Sequence, residues 1–189
     1  MGIVALGFAL AGCSGGEAEP AATASATPIY SQQTGRLEEL RSDRDGDGTV
    51  DTRAFMDGAR IVRIEIDRDN DGRVDRREYY TADAGQQKSV IERAEVSSGA
   101  DDVVRRREFY AGGALERVEE DTSLDGQADK WEFYLRGRLV RVDLDFAGRG
   151  KATRRLHYGP EGAVDRVEGD PEGDGIFVPV VPTPRGVTR

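Results

Sequence analysis

Residues 67–78 read DRDNDGRVDRRE and place acidic side chains at the first, third, fifth, ninth and twelfth positions of one short segment. Gly72 stands at the sixth position, where a sharp turn favours a residue without a Cβ. Ca²⁺ takes about six to eight oxygen ligands, and this spacing lets a single loop supply them. The predicted ligands are the carboxylates of Asp67, Asp69, Asp71, Asp75 and Glu78 and the backbone carbonyl of Arg73.

The same spacing recurs along the chain, and the recurrence predicts the architecture. Aligned copies begin at Asp43, Asp67, Ser97, Asp121, Asp145 and Asp170, at steps of 24, 30, 24, 24 and 25 residues. A near-constant step indicates one supersecondary unit stacked on copies of itself. The longer step contains extra residues around 84–89, which we interpret as a longer turn.

The copies differ in the number of oxygen ligands that they keep. The first loop offers Asp43, Asp45, Asp47, Thr49 and Asp51, and Ala54 stands where the closing glutamate would be, which favours coordination through the ninth-place aspartate. The fourth loop offers Asp121, Ser123, Asp125, Asp129 and Glu132. We expect the Ser97 and Asp145 copies to be empty and the Asp170 copy to be a weaker candidate. Two to three sites are predicted, with dissociation constants on the order of 0.1 to 1 mM.

Two strands are predicted after each acidic loop. In the clearest copy, residues 129–135 (DKWEFYL) run out, Arg136 and Gly137 turn, and residues 138–144 (RLVRVDL) run back. Apolar and polar residues alternate in these segments, as in strands. The sequence therefore predicts an all-β fold, a repetitive antiparallel β-hairpin meander of about five 24-residue repeats.

The alternation also predicts which side chains share a face. On the return strand, Val140, Val142 and Leu144 are expected on one face, matched by Val62, Ile64 and Ile66, with Arg-x-acid pairs such as Arg141 and Asp143 on the other. On the outgoing strand, two successive rungs are predicted: Phe55, Tyr79, Phe109, Phe133 and His157, then Met56, Tyr80, Tyr110, Tyr134 and Tyr158. Opposite charges on neighbouring strands should attract one another across the sheet.

Composition excludes several classes of protein. The apolar share is 37% and there are 24 glycines, which argues against a thick globular core and fits a thin array with many turns. The net charge of −9 disfavours nucleic acid as a partner, because phosphate backbones attract Lys and Arg. No stretch of the sequence approaches the roughly 20 apolar residues of a membrane-spanning helix.

The first 13 residues, MGIVALGFALAGC, form an apolar run that ends in Leu10-Ala11-Gly12-Cys13. This run resembles a bacterial lipoprotein signal with its lipobox, although it lacks the Lys or Arg that usually opens such a signal. The resemblance implies cleavage before Cys13, acylation of Cys13 and anchoring in the lipid bilayer of the bacterial cell envelope. A buried thiol and an ordinary secretory signal are the alternatives.

The predicted domains follow from these segments. Residues 1–12 are the signal peptide, and residues 13–28, rich in Ala, Ser, Pro and Gly, form a disordered, lipidated tether. Residues 29–175 form the repeat domain, and 29–42 are expected to be its opening half-unit. Residues 176–189 form a tail that is either disordered or covers the last strand.

The acidic loops share their spacing with the calcium loop of the EF-hand. However, residues 59–66 (ARIVRIEI) alternate and are β-branched, which favours a strand over the flanking helix of an EF-hand. The loops better resemble the D-x-D-x-D-G-x-x-D loops of FG-GAP and VCBS-type repeats and the tandem loops of thrombospondin type 3 repeats, and the step resembles that of MORN repeats. The resemblance covers only the loops or the spacing, and it implies Ca²⁺ binding.

Three functions are compatible with these features. The first is a non-enzymatic exported lipoprotein whose β-repeats are stiffened by Ca²⁺. The second is an interaction protein that binds an unidentified envelope protein through its aromatic or Arg/Glu face, and in which Ca²⁺ binding plays no part in the function. The third, an envelope enzyme, would need a catalytic cluster, and the sole histidine, His157, is expected to be a member of the aromatic rung.

Overall fold

The computed structural model describes residues 25–82, 88–97 and 101–180, and the regular structure in these ranges is entirely β-strand. The strands are β1 (Ser25–Tyr30), β2 (Leu37–Asp43), β3 (Thr52–Asp57), β4 (Arg60–Ile66), β5 (Arg76–Ala82), β6 (Ser89–Ser97), β7 (Val104–Ala111), β8 (Ala114–Glu120), β9 (Lys130–Leu135), β10 (Arg138–Leu144), β11 (Arg154–Tyr158), β12 (Val164–Gly169) and β13 (Val178–Pro179). They form one 13-stranded antiparallel sheet in simple chain order, which confirms the predicted meander.

The connections alternate between the two ends of the strands. Short turns join β1 to β2, β3 to β4 and each later outgoing strand to its return strand, while the acidic loops join each return strand to the next outgoing strand. All acidic loops therefore lie along one side of the sheet, at the same ends of the strands, and we call this side the loop edge. Because neighbouring strands are spaced by about 4.8 Å, successive loops are about 9.6 Å apart along the sheet.

The predicted hairpin of 129–135 and 138–144 is present as β9 and β10. Leu135 pairs with Arg138 across a two-residue turn, in which Arg136 has φ 53° and Gly137 has φ 75°. Two successive residues with positive φ form the turn whose twist matches that of antiparallel strands, and glycine reaches this conformation without steric cost.

Each hairpin contains a β-bulge at the same place. In β3 and β4, for example, Phe55 pairs with Arg63 but Met56 pairs with Ile61, so Val62 is the extra residue. Val140 has the same role in the hairpin of β9 and β10, where Leu139 pairs with Tyr134. The expectation that Val62 and Val140 continue the apolar row is therefore wrong. Reading the sequence with a strict period of two cannot reveal a bulge, because the extra residue shifts by one the face to which each later side chain points.

One face of the sheet, the Arg/aromatic face, consists of two rows that run across the strands. The charge row, in spatial order, contains Arg41, Arg53, Glu65, Arg77, Glu95, Arg107, Glu119, Trp131, Asp143, Arg155 and Glu168. The aromatic row contains Phe55, Arg63, Tyr79, Arg93, Phe109, Arg117, Phe133, Arg141, His157 and Arg166. From Arg53 to Glu119 cations and anions alternate in the charge row, and Trp131 then stands where a cation would be. Rings and guanidinium groups alternate in the aromatic row, where His157 occupies the predicted rung.

The opposite face, the Glu/Tyr face, covers the few fully buried apolar residues. Ala94, Val118 and Val142 are 0%, 0% and 6% exposed, although the described strands form a single layer. Long side chains of the outgoing strands lie over them: Arg76 of β5 reaches past β6 to Glu108 of β7, with Nη2 2.9 Å from Oε2. The aliphatic stems of such residues replace the second layer that an ordinary sheet would need.

The ends of the sheet extend past the predicted domain limits. β1 starts at Ser25, within the segment predicted as a tether, and forms a complete hairpin with β2 rather than a half-unit. β13 ends at Pro179, inside the predicted tail. The predicted signal peptide and Cys13 lie outside the described residues, and within the described ranges there is no helix long and apolar enough to cross a membrane.

Candidate metal centre

The acidic loops continue the hydrogen-bond ladder of the sheet. From the second loop onward, the first residue of each loop donates its N–H to the carbonyl near the end of the preceding loop, as Asp67 does to Asp51 at 2.8 Å and Asp145 to Asp129 at 2.8 Å. The ninth residue closes its own loop, as when Asp75 N–H donates to the Ile66 carbonyl at 2.9 Å. Each loop is therefore fixed to the sheet and to its neighbour at both ends.

The first-place aspartates organise the loop backbone. Asp67 accepts a hydrogen bond from the N–H of Gly72 at 2.9 Å, and Asp121 accepts one from Gly126 at 2.8 Å. Asp145 accepts N–H groups from Ala147, Arg149 and Lys151, although its loop carries no other acid. These bonds hold the pKa of Asp121 and of Asp145 below the usual range, against the effect of burial, which on its own would raise both pKa values.

Five loops have residues with positive φ at the same two positions. Their fourth-place residues, Gly46, Asn70, Leu124, Gly148 and Gly173, and their sixth-place residues, Gly48, Gly72, Gly126, Gly150 and Gly175, have positive φ. These two left-handed positions recur in loops with and without several carboxylates. They therefore do not explain why carboxylates converge in two of the described loops.

In the first loop, carboxylate oxygens of Asp43, Asp45 and Asp51 all lie within 4.8 Å of one another. Asp51 joins this group while it also accepts the N–H of Arg44 at 2.7 Å. Burial alone would raise the pKa of Asp51, but hydrogen bonds from Thr52 and from backbone N–H groups outweigh burial and lower it. The ninth-place aspartate thus stands beside the first and third, as the absence of a closing glutamate at Ala54 predicts.

In the second loop, the group consists of Asp67, Asp69 and Asp71, again with oxygens within 4.8 Å of one another. Two oxygens here, Oδ1 of Asp67 and Oδ1 of Asn70, are buried and have no hydrogen-bond donor among the described residues. Asn70 also donates from Nδ2 to Oδ2 of Asp47 at 2.8 Å, which links the two loops. A cleft of about 220 Å³ lies between the loops and is lined by residues of both.

The structure leaves several predicted ligands outside these groups. Asp47 accepts hydrogen bonds from Thr49 N–H and from Asn70, and Asp75 accepts the N–H of Arg68 at 2.6 Å. The Arg73 N–H donates to Asp71 at 2.8 Å. Asp47 and Asp75 therefore bond to the loops without joining either group, and the Arg73 bond uses its N–H and not the carbonyl that was predicted as a ligand.

The predicted closing glutamates lie on the sheet and not in the loops. Glu78 is in β5, where Arg76 donates to Oε1 at 2.7 Å and Tyr80 to Oε2 at 2.6 Å. Glu132 is in β9, 8% exposed, and accepts the Tyr134 hydroxyl at 2.8 Å. The physical reason is that each strand begins two residues earlier, so its alternation turns the twelfth-place side chain onto the Glu/Tyr face.

The fourth loop, predicted as a moderate site, does not bring three carboxylates together. Both oxygens of Asp129 accept hydrogen bonds from Thr122 and Ser123, and Asp125 accepts the N–H of Gln127 at 2.8 Å. Ser123 lies near Asp121, with Oγ 3.4 Å from Oδ1. In the described part of the third loop, Asp101 forms an ion pair with Arg105.

Asn70 is the one residue of the centre that the sequence analysis missed. Its fourth-place position carries no ligand in the motif, so spacing alone gives no reason to select it. The signal was the contrast between Asn70 and the glycine at the equivalent first-loop position, Gly46.

The sequence matches no protein-family model and no curated protein. The two acidic groups and the faces of the sheet are the features of the molecule that bear on its function.

Proposed function

We propose that the chain is a non-enzymatic, exported and lipid-anchored protein that binds Ca²⁺ in its first two acidic loops, and that the ions stiffen the β-repeat scaffold. The observation that carries this proposal is the convergence of three carboxylates in each loop, Asp43, Asp45 and Asp51 in one and Asp67, Asp69 and Asp71 in the other. Carboxylates this close repel one another strongly unless a cation lies between them.

The second loop fits a cation best. The buried Oδ1 atoms of Asp67 and Asn70 have no donor in the part of the chain that the structure describes, and a buried acceptor without a partner costs free energy that a metal ion would recover. The residues that would hold the ion are Asp67, Asp69, Asp71 and Asn70, and in the first loop Asp43, Asp45 and Asp51. All of them offer oxygen, which favours Ca²⁺ over the metals that prefer nitrogen or sulfur.

Binding at these loops would act on strands β2 to β5 of the sheet. Asp51 belongs to an acidic group, and its carbonyl accepts the N–H of Asp67, which belongs to the next. The Asn70–Asp47 hydrogen bond adds a side-chain link between the loops. Neutralising either group therefore relieves repulsion at the junction of four consecutive strands, β2 to β5, and couples metal binding to folding.

Anchoring rests on the lipobox-like segment that ends in Cys13. The described chain enters the sheet at Ser25, which pairs with Asp43, so the predicted tether joins the domain at the loop edge. An acylated Cys13 would then hold the domain at the bilayer of the bacterial envelope.

Calorimetric titration of Ca²⁺ into the chelator-stripped full chain tests the calcium proposal. We expect two sites in the unaltered chain and one fewer in Asp69→Asn, because Asp69 belongs to the second group and its one hydrogen bond, from the N–H of Asp71, is long at 3.3 Å. Asp125→Asn is the matched control, since it makes the same charge change in a loop whose carboxylates do not converge on one point. A flat titration, or equal loss in both variants, would overturn the proposal.

A second candidate is an envelope interaction protein that uses the Arg/aromatic face, with Ca²⁺ incidental. The observation that favours it is the continuity of the charge row across eleven strands, β2 to β12, and of the aromatic row across ten, β3 to β12. Calcium-independent folding together with loss of partner binding on changes to that face would support this candidate over the first.

A further inference from the structure

The Glu/Tyr face changes its chemistry at the N-terminal end of the sheet. On β5, β7 and β9 the outgoing strand carries a cation, a glutamate and a tyrosine at three alternate positions: Arg76, Glu78 and Tyr80; Arg106, Glu108 and Tyr110; Lys130, Glu132 and Tyr134. The equivalent positions hold Ala26, Pro28 and Tyr30 on β1 and Thr52, Ala54 and Met56 on β3. Strands β1 and β3 therefore lack the charged side chains that cover this face further along the sheet.

The return strands complete an apolar surface, which we call the uncharged patch. Its members on β2 and β4 are Leu37, Leu40, Ser42, Ile61, Ile64 and Ile66. Ile64 is partly exposed, whereas the residues at the same level of later return strands, Ala94, Val118 and Val142, are 0%, 0% and 6% exposed. The patch thus lies open where the rest of the face is covered.

Charged residues lie at the borders of the patch. They are Glu38 at the bulge of β2, the Asp57–Arg60 ion pair at the turn, and Arg76 and Glu78 on β5. Arg76 reaches away from the patch, towards Glu108 of β7, with Nη2 2.9 Å from Oε2. The charged network therefore begins beside the patch and extends over the later strands.

The size of the patch limits what can cover it. Four strands and five residues along each give about 19 by 17 Å, or roughly 320 Å². A standard protein interface takes about 800 Å² from each partner, so the patch is too small to hold a second copy of the chain by itself. An apolar patch of a few hundred Å² that carries no charge suits a slender apolar ligand such as a hydrocarbon chain.

We propose that the uncharged patch holds an acyl chain carried by Cys13 when the protein is away from the bilayer, an inference that rests on the lipid anchoring proposed above. A hydrocarbon chain in water exposes apolar surface, and contact with the patch removes part of that surface from water. The bilayer surrounds the chain on all sides, so the chain leaves the patch when a membrane is present.

The length of the preceding chain allows this contact. Cys13 lies 12 residues before Ser25, the first residue of β1. A flexible linker of 12 residues has a root-mean-square span of about 17 to 21 Å. The far side of the patch, β4, is three strands from β1, about 14 Å. An acyl chain on Cys13 therefore reaches every part of the patch in its own molecule.

Photo-crosslinking of the purified full chain tests the inference. Cys13 is the sole cysteine, so an iodoacetamide that carries a hexadecyl chain ending in a diazirine attaches the probe at this residue alone. The labelled protein is irradiated in chelator without membranes, and the crosslinked peptides are mapped by mass spectrometry. We expect most crosslinks within residues 26–66 of the same molecule.

Two variants sharpen the test. Thr52→Arg combined with Ala54→Glu gives β3 the cation and glutamate of β5 without changing the net charge, and it should lower crosslinking of the patch roughly tenfold, because the hydrocarbon would have to desolvate both charges. Leu156→Glu is the control, since it adds a glutamate beside Arg154 on the same face of β11. This position is eight strands from Ala54, about 38 Å, and the change should leave the crosslinks as they are.

Circular dichroism verifies that both variants keep their strand content. The inference is overturned by crosslinks spread evenly over β5 to β12, by crosslinks between two copies or to residues 1–12, or by an equal effect of the two variants. If the double variant does not fold, the map of the unaltered chain decides alone. Because the probe is attached in vitro, the result does not depend on whether cells acylate Cys13, which labelling with fatty acid measures separately.

Discussion

Glu108 is the centre of the charged network on the Glu/Tyr face, and its charge should contribute measurably to the free energy of unfolding. Its carboxylate accepts hydrogen bonds from Arg76 at 2.9 Å, from Arg106 at 3.0 Å and from the Tyr110 hydroxyl at 2.7 Å. The side chain is 13% exposed, so solvent replaces these partners poorly. Glu108→Gln keeps the size of the side chain and removes its charge.

The expected cost follows from the two bonds that involve guanidinium groups. A hydrogen bond to a charged group contributes roughly 1 kcal/mol more than a neutral one, and the glutamine amide has an NH₂ donor in place of one acceptor oxygen. Losing the charge at both bonds and one acceptor should therefore destabilise the chain by at least about 2 kcal/mol. Arg76 and Arg106 each keep another acidic partner, Glu78 for Arg76 and Glu120 for Arg106, which limits the loss.

The assay is urea unfolding followed by circular dichroism, with the free energy of unfolding taken by linear extrapolation. Glu116→Gln is the matched control, because Glu116 is exposed at the bulge of β7 and β8 and should change stability by less than about 0.5 kcal/mol. If Glu108→Gln costs no more than this control, the charged network does not serve as the second layer of the sheet.

Three further predictions concern pH, loop strain and lipidation. Burial alone would raise the pKa of Glu108 and Glu132, but hydrogen bonds outweigh burial and lower both pKa values below the ordinary 4.5. The two carboxylates therefore contribute to stability above pH 4.5, and this contribution is lost as the pH falls through the lowered pKa values. A constant urea midpoint between about pH 6 and pH 3 would contradict this. Leu124, with φ 65°, occupies a place taken by glycine in three other loops. Leu124→Gly should stabilise the chain by about 0.5 kcal/mol in urea unfolding, because the backbone strain that is relieved exceeds the entropy that glycine loses on folding. A loss of stability would refute this. Cys13→Ser should abolish incorporation of labelled fatty acid and release the chain from the membrane fraction, whereas unchanged labelling would exclude acylation at Cys13.

The hairpins were predictable from sequence because their signals are local. Alternation in 138–144 and the Arg136-Gly137 pair define a strand and a two-residue turn without reference to the rest of the chain. The rungs followed as well, since a constant repeat places Phe109 and Phe133 at the same level once the strands pair in order.

The site was only partly predictable, because the same spacing serves two purposes. First-place aspartates such as Asp145 bind the loop backbone whether or not other acids are present. The twelfth place looks like a ligand position in sequence, but the start of β5 at Arg76 puts Glu78 on a sheet face. Pairing between strands decides both points, and a motif within one loop does not contain that information.

Unfolding of the full chain by urea with and without Ca²⁺ tests the central claim most directly. If two sites with dissociation constants of about 1 mM bind only the folded chain, about 10 mM Ca²⁺ should raise the free energy of unfolding by about 3 kcal/mol. Asp69→Asn should lose about half of this gain, and Asp125→Asn should keep all of it. An unfolding midpoint that is the same in Ca²⁺ and in chelator would contradict the account, because the acidic loops would then be turns whose carboxylates serve the backbone alone.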